Sequence, residues 1–274
     1  MRCAPALQRA RGRVDVAFAL RDGASRLRNL AQEGSAKALA PRVAGPVPLA
    51  VLVNTAGGAT GGDLFRWRAE VGAGAALTVS TQAAERIYRS TGADAQVETR
   101  LALAPGARLD WLPQETILFE GSRLSRRIDV EMAGDARLTA VEALVFGRSA
   151  MGERLTQGAL SDQWRIRRDG RLIHAEALRI ADFGHALAAR ALAGGALASA
   201  TLLHVAPDAA DRLDEARALA RDARRGEIVE AAASLKPGVL IARFLSADAR
   251  ALRRALTGFL TAFRGEAPPR VWAM

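Results

Sequence analysis

Short segments in which apolar and polar residues alternate recur along most of this chain. Val14, Val16 and Phe18 alternate with Asp15 and Ala17 ahead of Arg21-Asp22-Gly23, a turn signal. Residues 64–71, 76–81, 97–103, 108–112 and 127–132 repeat the pattern, with Gly72-Ala73-Gly74, Pro105-Gly106, Pro113 and Gly134-Asp135 between or after them. Alternation with period two lays one face of a strand on a core, and a spacing of about ten residues with turns between predicts many short strands. Residues 49–53 are a continuous apolar run, which reads as a buried strand, and residues 138–146 form a longer strand candidate. Asp169-Gly170 between residues 164–167 and 172–175 predicts a tight hairpin. The fold class that follows is mainly β, a large multi-stranded sheet-rich body of which a β-helix is one form. Residues 26–48, with little periodicity and with Pro41, Pro46 and Pro48, read as a wandering loop.

Two α-helices are predicted in the C-terminal third. Asp208 stands where a cap would begin a helix to about residue 224. Ser246 stands likewise before a second, in which Leu252, Leu256, Phe259, Leu260 and Phe263 form an apolar stripe until Gly265 and Pro268-Pro269. Such a stripe belongs to the protein's own core more often than to a partner.

The densest local signal is Asn54-Thr55-Ala56-Gly57-Gly58-Ala59-Thr60-Gly61-Gly62-Asp63, with Gly57, Gly58, Gly61 and Gly62 within six residues. A phosphate-binding loop of the Walker type needs a lysine after its last glycine, and Asp63 carries the opposite charge. A dinucleotide fingerprint needs a different spacing and a helix behind it, whereas here a strand follows. A structural double turn is the simpler reading, with glycine supplying positive dihedrals. A nucleotide-binding enzyme built on this loop remains the alternative.

At 274 residues with half of them apolar, and with no linker-like stretch, the chain reads as one domain over 1–274. No apolar run approaches the roughly 18 residues of a membrane span, and residues 1–7 lack a leader's apolar core, so a cytoplasmic protein without membrane attachment is expected. Cys3, the single cysteine, reads as a stray terminal thiol. The net charge of +10 comes from dispersed arginines, among them the pairs Arg126-Arg127, Arg167-Arg168, Arg224-Arg225 and Arg253-Arg254. A basic nucleic-acid binder is therefore the second alternative, although the aromatic-interleaved motifs of RNA readers are missing and an acidic protein partner fits such a surface equally well.

His174, His185 and His204 are too scattered for a recognisable metal motif, and no nucleophile elbow occurs. His174 and His204 read as satisfied structural histidines. Asp63, Glu85, Glu115, Glu142, Glu153 and Glu176 are lone carboxylates in apolar or glycine-rich surroundings. For any single one a salt bridge to arginine is the simple reading. Together they offer spaced oxygen ligands, which would let a divalent cation move on where a closed site would hold it.

The decapeptide at 54–63, the stretch Thr81-Gln82-Ala83-Ala84-Glu85-Arg86-Ile87-Tyr88-Arg89 and the stretch Trp111-Leu112-Pro113-Gln114-Glu115-Thr116-Ile117-Leu118-Phe119 resemble successive segments of the urease accessory protein family UreD, also called UreH. Gly147-Arg148-Ser149-Ala150-Met151-Gly152-Glu153, Leu240-Ile241-Ala242-Arg243 and Pro269-Arg270-Val271-Trp272 extend the resemblance in order to the end of the chain. Two positions depart from it: Arg86 stands where lysine is frequent and Glu176 where aspartate is usual. The resemblance implies a mostly β fold with a pair of helices and no enzymatic activity. It also implies partners, namely UreF, the GTPase UreG and apo-urease, with a dimer of heterocomplexes as one assembly it allows. The expected task is nickel insertion into urease, with no permanently bound cofactor and with nickel in transit past Asp63 and Glu176, and past Glu85, Glu115, Glu142 and Glu153 as weaker candidates.

Overall fold

A computed structural model describes residues 8–148, 151–225 and 228–273. Cys3 and residues 149 and 150 of the Gly147-to-Glu153 motif lie outside them. In chain order the strands are β1 (Arg11–Arg21), β2 (Ala24–Gly34), β3 (Ala36–Leu39), β4 (Leu49–Asn54), β5 (Leu64–Val71) and β6 (Ala76–Thr81). Then come β7 (Glu85–Ile87), β8 (Ala95–Leu103), β9 (Arg108–Leu112), β10 (Thr116–Leu118), β11 (Ser122–Met132) and β12 (Arg137–Phe146). The last are β13 (Gly158–Arg168), β14 (Arg171–Ile180), β15 (Ala198–Val205), β16 (Val229–Lys236) and β17 (Val239–Ser246). Helices α1 (Phe183–Ala188), α2 (Leu213–Ala223) and α3 (Ala249–Arg264) are set among the later strands.

The chain winds as a β-solenoid. A seven-stranded sheet runs β14-β13-β11-β8-β5-β1-β2, and a ten-stranded sheet runs β16-β17-β15-β12-β9-β6-β4-β3 with β7 and β10 attached beside β12. From β4 to β13 the chain passes back and forth between the two, so β5, β8, β11 and β13 stack in parallel in the first sheet, and β4, β6, β9 and β12 in the second. Arg66 lies beside Glu98 and Ser80 beside Leu112, an offset of 32 residues, whereas Arg108 lies beside Arg137, 29 residues on, and Ser122 beside Gly158, 36 on, so the turns of the coil differ in length. The first sheet ends at both sides in an antiparallel hairpin, β1–β2 and β13–β14. Each hairpin turns on an Asp-Gly pair with positive φ at both residues, 50° and 73° at Asp22-Gly23 and 51° and 75° at Asp169-Gly170. That geometry matches the strands' own twist.

One core fills the space between the sheets, from Val14 and Phe65 through Leu101, Leu109, Ile128 and Leu138 to Ile166. A second joins the outer face of the ten-stranded sheet to α2 and α3, with Leu202, Phe244, Leu252, Leu256, Phe259, Leu260 and Phe263 all buried. β12 shows why its sequence is mostly apolar on both faces: Leu138, Ala140, Leu144 and Phe146 enter the first core and Val141, Ala143 and Val145 the second. The apolar stripe of α3 thus lies against the protein's own sheet, and Gly265 ends the helix in the left-handed region at φ 73°.

Residues 26–48 correct the loop expectation, because β2 and β3 lie within them. β2 is exposed at nearly every position and is held by backbone pairing to β1, so no apolar face marks it in the sequence. The helix caps also differ. Asp208 caps nothing at α2, which starts at Leu213 without a side-chain cap; its carboxylate pairs with Arg137 instead. At α3 the cap is Asp248, which accepts from the backbone N–H of Arg250 and Ala251, while the Ser246 hydroxyl donates to the Ile228 carbonyl and accepts from Asp248 N–H. The six-residue α1 carried no sequence signal.

Candidate functional site

The glycine-rich stretch is a double turn that docks on its neighbours through the main chain. Asn54 anchors it: its Oδ1 accepts from Ala56 N–H at 2.9 Å, and its Nδ2 donates to the Gly58 carbonyl at 3.1 Å and to Glu85 at 3.1 and 3.2 Å. Ala59 pairs with Ile87 as a single parallel bridge, and Tyr88 donates its hydroxyl to the Gly57 carbonyl. Gly57, Gly58 and Gly62 have φ of 76°, 146° and 92°, as the turn reading requires. Gly61 does not; space fixes it, because a Cβ there would collide with the Ser90 side chain and the Ala93 carbonyl. Asp63 closes the stretch as a staple, accepting from Ala10 N–H on one oxygen and Thr60 N–H on the other, each at 2.8 Å.

Between the sheets the apolar packing is interrupted by charge. Arg126 on β11, Glu142 on β12 and Asp162 on β13 are 4, 7 and 7% exposed, where neighbouring rungs place Leu124, Ile128, Leu144 and Trp164. Arg126 grips Asp162 with two donors, Nε at 3.0 Å and Nη2 at 2.5 Å, and its Nη1 donates to Glu142 and more weakly to Thr116 Oγ1 at 3.4 Å. Trp111 Nε1 donates to the other Glu142 oxygen at 3.0 Å. Two carboxylates thus share one guanidinium, and burial together with the charge of Asp162 pushes Glu142 upward against the pull of Arg126.

This triad stands between two cavities. One of about 190 Å³ is walled by Asn54, Gly57, Gly58, Glu85 and Trp111; the other, about 50 Å³, by Asp162, Trp164, Glu176 and Leu178; Arg126 and Glu142 line both. Even the smaller exceeds the roughly 10–15 Å³ that a water needs. Glu85 faces the first without an ion pair among the described residues: burial pushes its carboxyl up to about 7, against the Asn54 amide, the Arg86 N–H and the Arg86 charge. Glu176 faces the second and pairs with Arg243 at 2.5 Å. Its sequence neighbours Ala175, Ala177 and Leu178 offer no base, and the arginine of the salt-bridge reading comes from β17, distant in sequence.

Glu85, Glu142 and Glu176 are therefore strung along one interior. Asp63 is not brought to Glu176: β14 and β5 lie four strand spacings apart in the sheet, about 19 Å. Glu115 pairs with Arg253, and Glu153 is clasped by Arg148 at 2.8 and 3.0 Å near the surface. The salt-bridge reading describes Glu115, Glu142, Glu153 and Glu176. Arg126 and Asp162 were missed. Both stand in phase with the apolar residues of their strands, the one signal available, and Arg126 had been counted with the dispersed surface charge.

The histidines correct a further expectation. His204 shares a hydrogen bond between Nδ1 and Thr139 Oγ1 at 3.1 Å and meets Phe263 edge-on, but its Nε2 has no hydrogen-bond partner. His174 is 3% exposed and neither ring nitrogen is hydrogen-bonded. Burial, with Arg212 nearby, lowers His204 to about 4. The unfolded chain then binds the extra proton first, so stability is whole above about pH 6.5 and is lost as pH falls toward 4, by up to about 3 kcal/mol. His204→Leu is expected to lose less melting temperature than the wild type between pH 6.5 and 4; a variant whose acid limb parallels the wild type would refute the assignment.

The sequence pattern of the family described as UreD urease accessory protein matches residues 10–273. Urease accessory protein UreD of Xanthobacter autotrophicus is 51% identical over 267 residues, which cover 97% of this chain and 91% of that one. Its namesakes from a Methylobacterium species and Azorhizobium caulinodans are 49% and 47% identical over 272 residues, covering 98 and 99% of this chain and 96 and 99% of theirs. With a match over nearly its whole length and relatives near half identity, the chain belongs to the UreD urease accessory protein family.

Proposed function

We propose that this chain serves urease maturation as a scaffold without chemistry of its own, acting with UreF and the GTPase UreG on apo-urease in the cytoplasm. In this reading nickel crosses the interior between the two sheets on its way to urease. The observation that carries the proposal is the pair of cavities sharing the Arg126–Glu142 wall, with Glu85 on one side and Glu176 on the other. Glu142 touches both cavities and so offers an oxygen to an ion arriving from either. Carboxylates suit a borderline divalent ion, and spaced single ligands release it more readily than a closed set.

Glu85→Gln tests the transit. Glu85 makes no ion pair among the described residues, so the variant is expected to fold and assemble as wild type. Nickel per mole of assembled complex, and urease activity with it, should fall about twofold or more, since an amide dipole replaces a charge at the first cavity. Wild-type nickel content in a fully assembled Glu85→Gln complex would remove Glu85 from any route.

A further inference from the structure

The interior face of β14 carries a buried group that the fold leaves unused. His174 and Glu176 are two residues apart on one strand and point the same way, beneath Ile166 and Trp164 of β13. The imidazole is 3% exposed with both nitrogens unpartnered, and its Nε2 lies 3.7 Å from Glu176 Oε2. A buried polar ring without a hydrogen bond costs stability, and an apolar side chain would fill the place at less cost. Such a ring calls for a ligand.

We propose that His174 Nε2 and Glu176 Oε2 form a two-donor nitrogen/oxygen site for a first-row divalent cation, filled in exchange for the Arg243 guanidinium. Neighbouring donors around such an ion stand roughly 3.0–3.4 Å apart, given bonds of about 2.1 Å, so a shift of about half an ångström in either side chain closes the pair on a metal. Imidazole adds what the carboxylates of the interior lack, a nitrogen donor that nickel prefers over the harder magnesium and calcium. Arg243 now occupies the cation's place on Glu176 at 2.5 Å, and its side chain, 55% exposed, has solvent to swing into. The remaining positions of such an ion belong to water, and two protein donors alone make a site that loads and unloads. Glu176 also walls the smaller cavity beside Arg126 and Asp162, so the site opens on the interior.

The choice of nickel rests on the proposed function; the site itself does not. Nickel binding to the purified full-length chain is measured by calorimetric titration and by X-ray absorption, in a His185→Ala background that removes the exposed imidazole. The expected results are imidazole scattering in the nickel spectrum of the parent, its loss in His174→Leu, and at least tenfold weaker binding in both His174→Leu and Glu176→Gln, with the exposed Glu131→Gln unchanged. Without nickel, His174→Leu should be as stable as the parent or more so. Nickel bound with undiminished affinity by His174→Leu, or a parent spectrum without imidazole nitrogen, overturns the site. Should His174→Leu fail to fold, the parent spectrum and Glu176→Gln decide it. Urease activation is assayed separately: binding lost without any effect on activation would sink the transit and leave the site standing.

Discussion

Arg126→Met is expected to lower the melting temperature by roughly 10 °C, the largest effect of any single substitution considered for this chain. Removing the guanidinium leaves Glu142 and Asp162 buried together with no counter-charge, and breaking a buried ion pair from one side costs about 3–5 kcal/mol. At about 2–4 °C per kcal/mol for a chain of this size the shift is well outside error. Apolar replacement of all three, as Arg126→Met, Glu142→Leu and Asp162→Leu, should recover most of the loss, because no charge is then left unpaired. A triple variant as stable as wild type that no longer supports nickel insertion would show the charges to be kept for transport. Arg126→Met within about 1 kcal/mol of wild type in thermal unfolding would contradict the buried triad.

Gly61→Ala is the second large effect, and it runs against the ranking that dihedral angles alone predict. Gly57 has φ 76° and open space around it, so alanine there meets only the left-handed penalty of about 1–2 kcal/mol. Gly61 has an ordinary φ, yet a methyl would overlap both Ser90 Oγ and the Ala93 carbonyl, and a backbone oxygen cannot turn away. The loop must move off β8, and with it Gly62 N–H from the Asp94 carbonyl at 3.0 Å. Urea midpoints should place Gly61→Ala below Gly57→Ala by a difference equivalent to about 2 kcal/mol or more. Equal midpoints would mean the double turn tolerates displacement.

Period-two patterning located β5 to the residue, because it has one face in a core and one in solvent, and the turn signals on either side bounded β6 and β9, which are buried on both faces. It failed at β2, whose order comes from backbone pairing that no side chain announces. Asp-Gly identified the β13–β14 hairpin because the turn's backbone demands that pair. The caps at Asp208 and Ser246 went astray because several residues near a helix start can cap it, and tertiary partners decided which: Arg137 took Asp208 and the Ile228 carbonyl took Ser246. Of the interior acids, Glu142 and Glu176 were visible as carboxylates among apolar residues. Their partners Arg126 and Arg243 were not, since a basic residue in an arginine-rich chain attracts no notice until the sheets are folded together.

The coil, whose turns take 29 to 36 residues, also acts as a ruler. Parallel stacking adds one strand per turn to each sheet, so the protein lengthens or shortens in steps of about 4.8 Å along the strand-stacking direction. The two hairpins close the first sheet at either end, as terminal repeats close other repeating folds. A whole turn could be gained or lost without touching either hairpin, and every surviving side chain would keep its face. Loss of a fraction of a turn would have no such tolerance, since a one-residue slip carries interior charges to the surface and surface arginines into the core. The span between Glu85 and Glu176 is thereby quantised, and relatives of different length should differ by whole coils or by loops outside the stack.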